Sequence, residues 1–223
     1  AVSLVVAIVF SILSIRKTRV VLWSTALLSA LIAYFMFFNL SFMENVKVFF
    51  GFQLLGAGLL MLLPDLFLKK DFTHAPAWRW PLRVYGALLF SYNLMFVLLG
   101  NEGQNDSTAI ILGVYALFFL IHAIAFNNAR GSILFTTLAP ISTLFLLRHL
   151  NSDAWLPALT GLALAYYIAG FFLRSETRRL WGFMFRYSGL ILGTLTSLAA
   201  LITLKDTSGW YILPIGALYV VEM

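Results

Sequence analysis

Three ionisable side chains lie inside long apolar stretches of this sequence, and each is a candidate for chemistry. They are Asp65, His122 and Glu222. A titratable group in hydrocarbon is costly and is a functional candidate by default. Each lies about 14–17 residues into its stretch, which at about 1.5 Å per helical residue places the three at similar depth. If the stretches adjoin, the pattern predicts a cluster that handles protons or binds a cation.

A structural alternative accounts for the same side chains, and we favour it. Each side chain can extend to the nearby membrane surface, or pair with an arginine in a connecting loop. Asp65, for example, has Lys69 one helical turn away. Under this alternative the three groups stabilise the protein and carry no chemistry.

Uncharged polar side chains near the middle of two further stretches are weaker candidates. Asn93 lies in the fourth stretch, and Thr136, Thr137 and Ser142 surround Pro140 in the sixth. Such groups line a solute path in some membrane proteins, but they commonly hydrogen-bond between helices or back to their own helical turn. The sixth stretch is the best candidate for a solute path.

Several classes of chemistry lack the residues they need. The chain has no cysteine, so disulfides, thiol nucleophiles and thiolate metal sites are excluded. The sequence contains neither the HExxH zinc motif nor the GxSxG serine motif, and it has no glycine-rich phosphate loop. His122 and His149 are expected at opposite membrane faces, which disfavours their sharing a haem iron. We therefore expect no metal and no cofactor, and we lean against an enzyme.

The composition requires a membrane to position these residues. Hydrophobic residues make up 61% of the 223-residue chain and charged residues 11%, whereas a soluble domain is about half apolar and a quarter charged. Backbone groups in hydrocarbon need partners within their own segment, so the stretches must be helices. The sequence predicts an all-α, polytopic transmembrane bundle forming one integral-membrane domain over residues 1–223. The nine predicted segments are 1–15, 20–40, 48–68, 82–100, 108–126, 132–148, 155–173, 187–204 and 209–223.

Both termini fall within or beside short apolar stretches. The first stretch is too short for a comfortable span, since about 20 residues cross the hydrocarbon core. We expect either that the chain is a fragment of a longer protein with truncated terminal helices, or that the terminal helices are short and tilted.

The basic residues alternate strictly from one connection to the next. The odd-numbered connections hold Arg16, Lys17, Arg19, Lys69, Lys70, Arg79, Arg83, Arg130, Arg174, Arg178, Arg179 and Arg186, and the others hold only Lys47, Arg148 and Lys205. Since basic loops stay in the cytoplasm, the N-terminus is predicted outside. The net charge of +6 thus reflects membrane orientation, and we expect no nucleic acid partner. The anchors expected to meet anionic lipid head groups are Lys69, Lys70, Arg174, Arg178, Arg179 and Arg186, of which the last four belong to the predicted loop Phe171–Arg186.

Two parts of the chain look related and predict a parallel four-helix repeat. Residues 66–122 and 171–223 share a basic connection followed by tryptophan, Trp80 in one and Trp181 in the other. Ser107–His122 also aligns without gaps to Ser208–Met223. The alternative is that two similar membrane loops collected the same residue types, because leucine and alanine matches are common in such a composition.

Residues 1–100 resemble the N-terminal seven-helix membrane region of bacterial sensor histidine kinases. The similarity lies in the basic turn at residues 14–19, in the Gln-Leu-Leu-Gly run at residues 53–56, and in Leu63-Pro64. The resemblance implies a sensing role and a bacterial plasma membrane. No functional residue carries over from it.

Three functions remain after these exclusions. The first is a non-catalytic membrane module, as a sensor, a scaffold or a subunit that binds other membrane proteins. The second is a transporter of small solutes or ions that uses Asp65, His122 and Glu222. The third is an enzyme acting on lipid-linked substrates, with Arg178, Arg179 and Arg186 holding a phosphate group, but no acid–base pair lies beside them. We rank them in that order.

Overall fold

The computed structural model describes residues 2–17, 20–38, 50–67, 75–99, 105–173, 179–204 and 208–222. Within these ranges the chain forms nine α-helices and no strand, which confirms the all-α prediction. The helices are α1 (Val2–Lys17), α2 (Val20–Phe38), α3 (Phe50–Phe67), α4 (Ala75–Leu99), α5 (Asn105–Ala125), α6 (Ser132–His149), α7 (Trp155–Phe172), α8 (Arg179–Leu204) and α9 (Gly209–Glu222). One turn of 3-10 helix, Ala129–Gly131, precedes α6.

Seven of these helices, α2 to α8, are long and apolar enough to cross a membrane. The chain is thus a multi-pass membrane protein. The two terminal helices contain shorter apolar stretches, Val2–Ser14 and Gly209–Val221. That the chain is a fragment of a longer protein stays a prediction.

Two helices begin seven or eight residues earlier than their apolar stretches predict. α4 starts at Ala75 instead of residue 82, and α8 starts at Arg179 instead of residue 187. The placement of Arg179 and Arg186 in a loop was therefore wrong, because both belong to α8. Hydropathy misses such turns because their charged side chains lie at the membrane surface, where the backbone still forms helical hydrogen bonds.

The chain divides into two compact units, Ala1–Asn101 and Glu102–Met223. In the first, α1 packs on α2, α3 packs on α4, and α2 contacts both α3 and α4. Leu27, Leu31, Ala57, Met61 and Leu82 form its buried cluster. The predicted repeat 66–122 crosses the boundary between the units, whereas 171–223 lies wholly in the second, and the duplication stays a prediction.

In the second unit, α5 packs against α6 and α7 packs against α8. α6 also contacts both α7 and α8, while α9 packs against α7 and α8. The turns that follow α5 and α6 each contain an asparagine with a positive φ of 48°, Asn127 and Asn151. The next residue closes each turn, since the N–H of Asn128 bonds the Ala123 carbonyl at 2.8 Å and that of Ser152 bonds the Leu147 carbonyl at 3.0 Å. This is the Schellman ending, in which asparagine takes the left-handed position that glycine usually occupies.

A close helix contact in the second unit joins α7 to α8 through small residues. A methyl group added to Gly189 would lie 2.7 Å from the Ala163 carbonyl oxygen, and one added to Gly182 would lie 2.7 Å from the Gly170 carbonyl oxygen. Ala163 and Gly170 are two turns apart on α7, as Gly182 and Gly189 are on α8. The two antiparallel helices therefore touch backbone to backbone along a stripe of small side chains, as is typical of membrane helix pairs.

We predict that Gly189→Ala separates α7 from α8 and lowers the stability of the second unit. Overpacking of this kind costs about 1–3 kcal/mol, because the backbone atoms around the new methyl group cannot rotate away. The measurement is the apparent melting temperature of the detergent-purified protein, followed by size-exclusion chromatography after heating.

The matched control is Gly161→Ala on α7, where an added methyl group would meet nothing within 4 Å. This variant should melt at or above the wild-type temperature, since alanine favours a helix by up to about 1 kcal/mol over glycine. Equal melting temperatures for the two variants would contradict the close α7–α8 packing.

Candidate functional site

Asp65 is fully buried in the first unit and pairs with two arginines of α4. Its carboxylate oxygens lie 3.2 Å from Arg79 Nε and 2.8 Å from Arg83 Nε. The carboxylate is inaccessible, whereas the Arg79 side chain is 14% and the Arg83 side chain 49% exposed. Arg79 and Arg83 are one helical turn apart, so both can reach the same acceptor. Together, Asp65, Arg79 and Arg83 carry one excess positive charge, and their ion pairs hold the end of α3 against the start of α4.

Asn93 fastens the same two helices at their other end. Its side chain is fully buried, and its amide Nδ2 donates a hydrogen bond to the Gly51 carbonyl at 3.1 Å. Gly51 and Asp65 lie about 21 Å apart along α3 at the usual helical rise. Polar bonds therefore hold the α3–α4 pair near both ends.

The polar residues predicted near the middle of α6 bond to neighbouring helices or to α6 itself. Ser142 Oγ donates to the Ala109 carbonyl of α5 at 2.7 Å. Thr136 Oγ1 lies 2.9 Å from Ser188 Oγ of α8, and Thr137 Oγ1 donates to the Ile133 carbonyl of its own helix at 2.9 Å. α6 is thus bonded to α5 on one side and to α8 on the other. Ser188, which no sequence pattern singled out, is half of the second contact.

His122 lies near the end of α5, between the ring of Phe118 on the same helix and the ring of Phe126 in the turn that follows. Its ring centroid is 5.8 Å from that of Phe118 and 4.4 Å from that of Phe126. Asp65 belongs to the first unit and His122 to the second. The side chain of Glu222, on the last residue of α9, lies outside the described residues. The predicted ionisable cluster of the three therefore stays a prediction.

Two of the six predicted basic anchors can be placed. Arg179 is exposed on the first residue of α8, and Arg186 packs with its stem and backbone against Gly170 of α7. The other four, Lys69, Lys70, Arg174 and Arg178, lie outside the described residues. Arg186 therefore contributes to the α7–α8 contact as well as to the charge at this end.

An apolar cavity of about 600 Å³ lies in the second unit between α6, α7 and α8. Ile133, Pro140 and Leu144 line it from α6, and Tyr187, Ile191 and Leu195 line it from α8. Its polar lining includes the Thr136–Ser188 pair, Thr137 and Thr196. Sequence reasoning selected the α6 wall through its threonines and proline, but it missed the α8 wall because leucine and isoleucine there are typical of any span.

No group of histidine, aspartate and glutamate that could hold a metal ion occurs in the described part of the chain. The arrangement can do two things: it can fasten helices through charged and neutral hydrogen bonds, and it can accept a hydrocarbon group in the cavity.

We predict that Asp65→Asn destabilises the first unit more than either arginine substitution does. Removing one partner of a buried ion pair costs about 3–5 kcal/mol, because an uncompensated charge is left behind. Arg79→Gln should cost less, and Arg83→Gln least, since the Arg83 side chain is half exposed and water screens it. Apparent melting temperatures of the purified variants should fall in that order.

A suitable control is Arg148→Gln, which removes an exposed arginine from the last turn of α6 and should leave the melting temperature unchanged. A wild-type melting temperature for Asp65→Asn would show that the ion pairs contribute little.

No protein-family model matches this chain, and neither a curated protein nor a solved structure is significantly similar to it. The function must therefore be inferred from the placement of its own residues. In that placement, polar bonds join α3 to α4 and α6 to its neighbours, and an apolar cavity lies between α6, α7 and α8. The chain is a multi-pass helical membrane protein.

Proposed function

We propose that this chain is a non-catalytic membrane module that serves as a scaffold or subunit of a membrane complex. The observation that carries the proposal is the bonding of the predicted polar candidates. Asp65, Asn93, Thr136 and Ser142 each bond to a neighbouring helix, and Thr137 bonds to its own turn. A solute path needs polar groups that converge on a shared polar space, whereas these groups bond to helices, and the cavity that Thr136 and Thr137 line is mainly apolar.

The bonding of Asp65 also supports this proposal over a transporter. A carboxylate that carries protons or cations must exchange its partners during transport. Asp65 is inaccessible and lies between two guanidinium groups of the helix packed against it. Moving it would require α3 and α4 to separate.

The first test measures solute movement in proteoliposomes that contain the purified full chain. We expect sodium, potassium and proton fluxes equal to those of empty liposomes, and His122→Gln and Glu222→Gln should change nothing. A flux above that background which either variant abolishes would overturn the module proposal and establish the transporter.

The second test asks for the partner that a scaffold requires. Affinity purification from native membranes in a mild detergent should recover another membrane protein in stoichiometric amount. Recovery of a monodisperse chain alone, with no protein partner after chemical crosslinking in the membrane, would contradict the subunit role. A partner that leaves when an external signal is applied would favour the sensing role implied by the resemblance of residues 1–100.

We further propose that the basic ends of the helices face the cytoplasm and that the N-terminus lies outside, in a bacterial plasma membrane. In the second unit, Arg130 and Arg179 lie at the end where α5 and α7 finish and α6 and α8 begin. Asp106 and Asp153 belong to the opposite end. This separation supports the orientation, since lysine and arginine stay on the cytoplasmic side.

The lack of cysteine makes this orientation simple to test. We predict that Asp153→Cys reacts with a membrane-impermeant maleimide in intact cells, whereas Asn128→Cys reacts only after the membrane is opened. Both positions are exposed, so access to the reagent should depend on the side of the membrane alone. The wild-type chain is the blank, and the opposite pattern would invert the proposed topology.

A further inference from the structure

We propose that the cavity between α6, α7 and α8 binds one acyl chain of an anionic phospholipid, with the head group at Arg130 and Arg179. The inference goes beyond the scaffold role, because it assigns a ligand site and a ligand class. It depends on the shape of the cavity, on its access from the membrane, and on the charges at one of its ends.

The cavity is long and runs along the helices. On α6 it extends from Ile133 to Leu144 and on α8 from Met184 to Ala199, which correspond to about 16 Å and 22 Å of helix. One leaflet is half of a hydrocarbon core about 30 Å thick. The cavity therefore has about the length that a lipid chain occupies in one leaflet.

The floor of the cavity is buried and one wall is open. Thr136, Leu159 and Thr196 are at most 7% exposed and form part of its lining. Ile191 and Leu195 of the same lining are each 60% exposed. These two residues are one turn apart in the middle of a helix long enough to span the membrane, so the open wall faces hydrocarbon. Only a molecule dissolved in the bilayer can enter there.

The end of the cavity near Ile133 and Met184 carries positive charge. Arg130 is exposed on the 3-10 turn that packs against both α6 and α8, and Arg179 is exposed on the first residue of α8, about 7.5 Å before Met184 along the helix axis. α6 and α8 both begin at this end, so the positive ends of their helix dipoles add to the field. Among the side chains described in this unit, the acidic ones, Asp106 and Asp153, lie at the opposite end.

An anionic head group at this end compensates the arginines while its chain fills the apolar space. Arginine binds phosphate through paired N–H donors. A second transmembrane helix would also bury the open wall, but it would leave Arg130 and Arg179 without a complementary charge. The charge at the end of the cavity thus selects an anionic lipid as the occupant.

The test uses photoactivatable phosphatidylglycerol with a diazirine on one acyl chain, in liposomes that contain the purified full chain. Phosphatidylcholine with the same labelled chain is the comparison. After irradiation, peptide mapping by mass spectrometry should place adducts mainly in residues 133–144 and 184–199. Labelling there should be several-fold stronger with phosphatidylglycerol. Equal labelling by both lipids, spread over all exposed helices, would overturn the proposal and indicate ordinary surrounding lipid only.

Two variants test the cavity itself. Thr137→Phe fills it and removes only hydrogen bonds to the turn of α6 that contains Thr137, so cavity adducts should fall several-fold. Thr203→Phe is the matched control, because Thr203 is exposed, bonds its own helix at Ala199 and lies outside the lining. Equal adduct yields in the two variants would overturn the acyl-chain site.

Two charge variants test the head-group end. Arg130→Gln combined with Arg179→Gln should lower labelling by phosphatidylglycerol to the phosphatidylcholine level, whereas Arg148→Gln at the opposite end should have no effect. Unchanged selectivity in the double variant would overturn the head-group assignment. If Thr137→Phe does not fold, the charge variants and the preference of the wild-type chain for phosphatidylglycerol still test the proposed lipid site. Crosslinks in native membranes from the cavity lining to another protein chain would show that a helix occupies the space instead.

Discussion

A polar group placed in hydrocarbon has no water to bond, and this constraint determines where several polar side chains of the described spans go. Asp65 meets two guanidinium groups, Asn93 meets a backbone carbonyl, and Thr136 meets the hydroxyl of Ser188. Each of these contacts joins two helices. The requirement to satisfy polar groups is thus met by the same bonds that fix which helices lie side by side.

Apolar packing alone cannot specify these neighbours, because lipid chains are as apolar as leucine. The protein uses two devices that lipid cannot match. One is the polar bond between helices, which dominates at α3–α4 and on both sides of α6. The other is close approach of backbones, which dominates where Gly182 and Gly189 of α8 meet α7. α8 therefore has two different faces. Its small residues meet α7, and the larger residues Ile191 and Leu195 on another face line the cavity.

The helical architecture was predictable from the sequence because few backbone structures can cross the hydrocarbon core of a membrane. Long apolar stretches predict helices, and all nine were located. The first turns of α4 and α8 were not, because arginine and tryptophan at the membrane surface lower the hydropathy without interrupting the helix. The sequence predicted an arginine partner for Asp65 but not which one, because Arg79 and Arg83 were assigned to a loop and Lys69 was the nearest cation along the chain. Gly189 and Gly193 form a GxxxG pattern that could have indicated the α7–α8 contact. Which helix each glycine faces depends on three-dimensional packing, since Gly193 approaches Ile215 of α9 instead.

The pairing of Asp65 with α4 also bears on how the chain enters the membrane during synthesis. α3 emerges before α4, so neither arginine is yet available to the carboxylate when α3 first reaches the bilayer. An aspartate at the centre of a single inserting helix costs about 2.5–3.5 kcal/mol, and the cost is lower near the helix end where Asp65 lies. Once Arg79 and Arg83 arrive, the charge is compensated within one hairpin. The α3–α4 hairpin is therefore the smallest part of the first unit in which this charge is neutralised, and partition into the bilayer favours the hairpin over α3 alone.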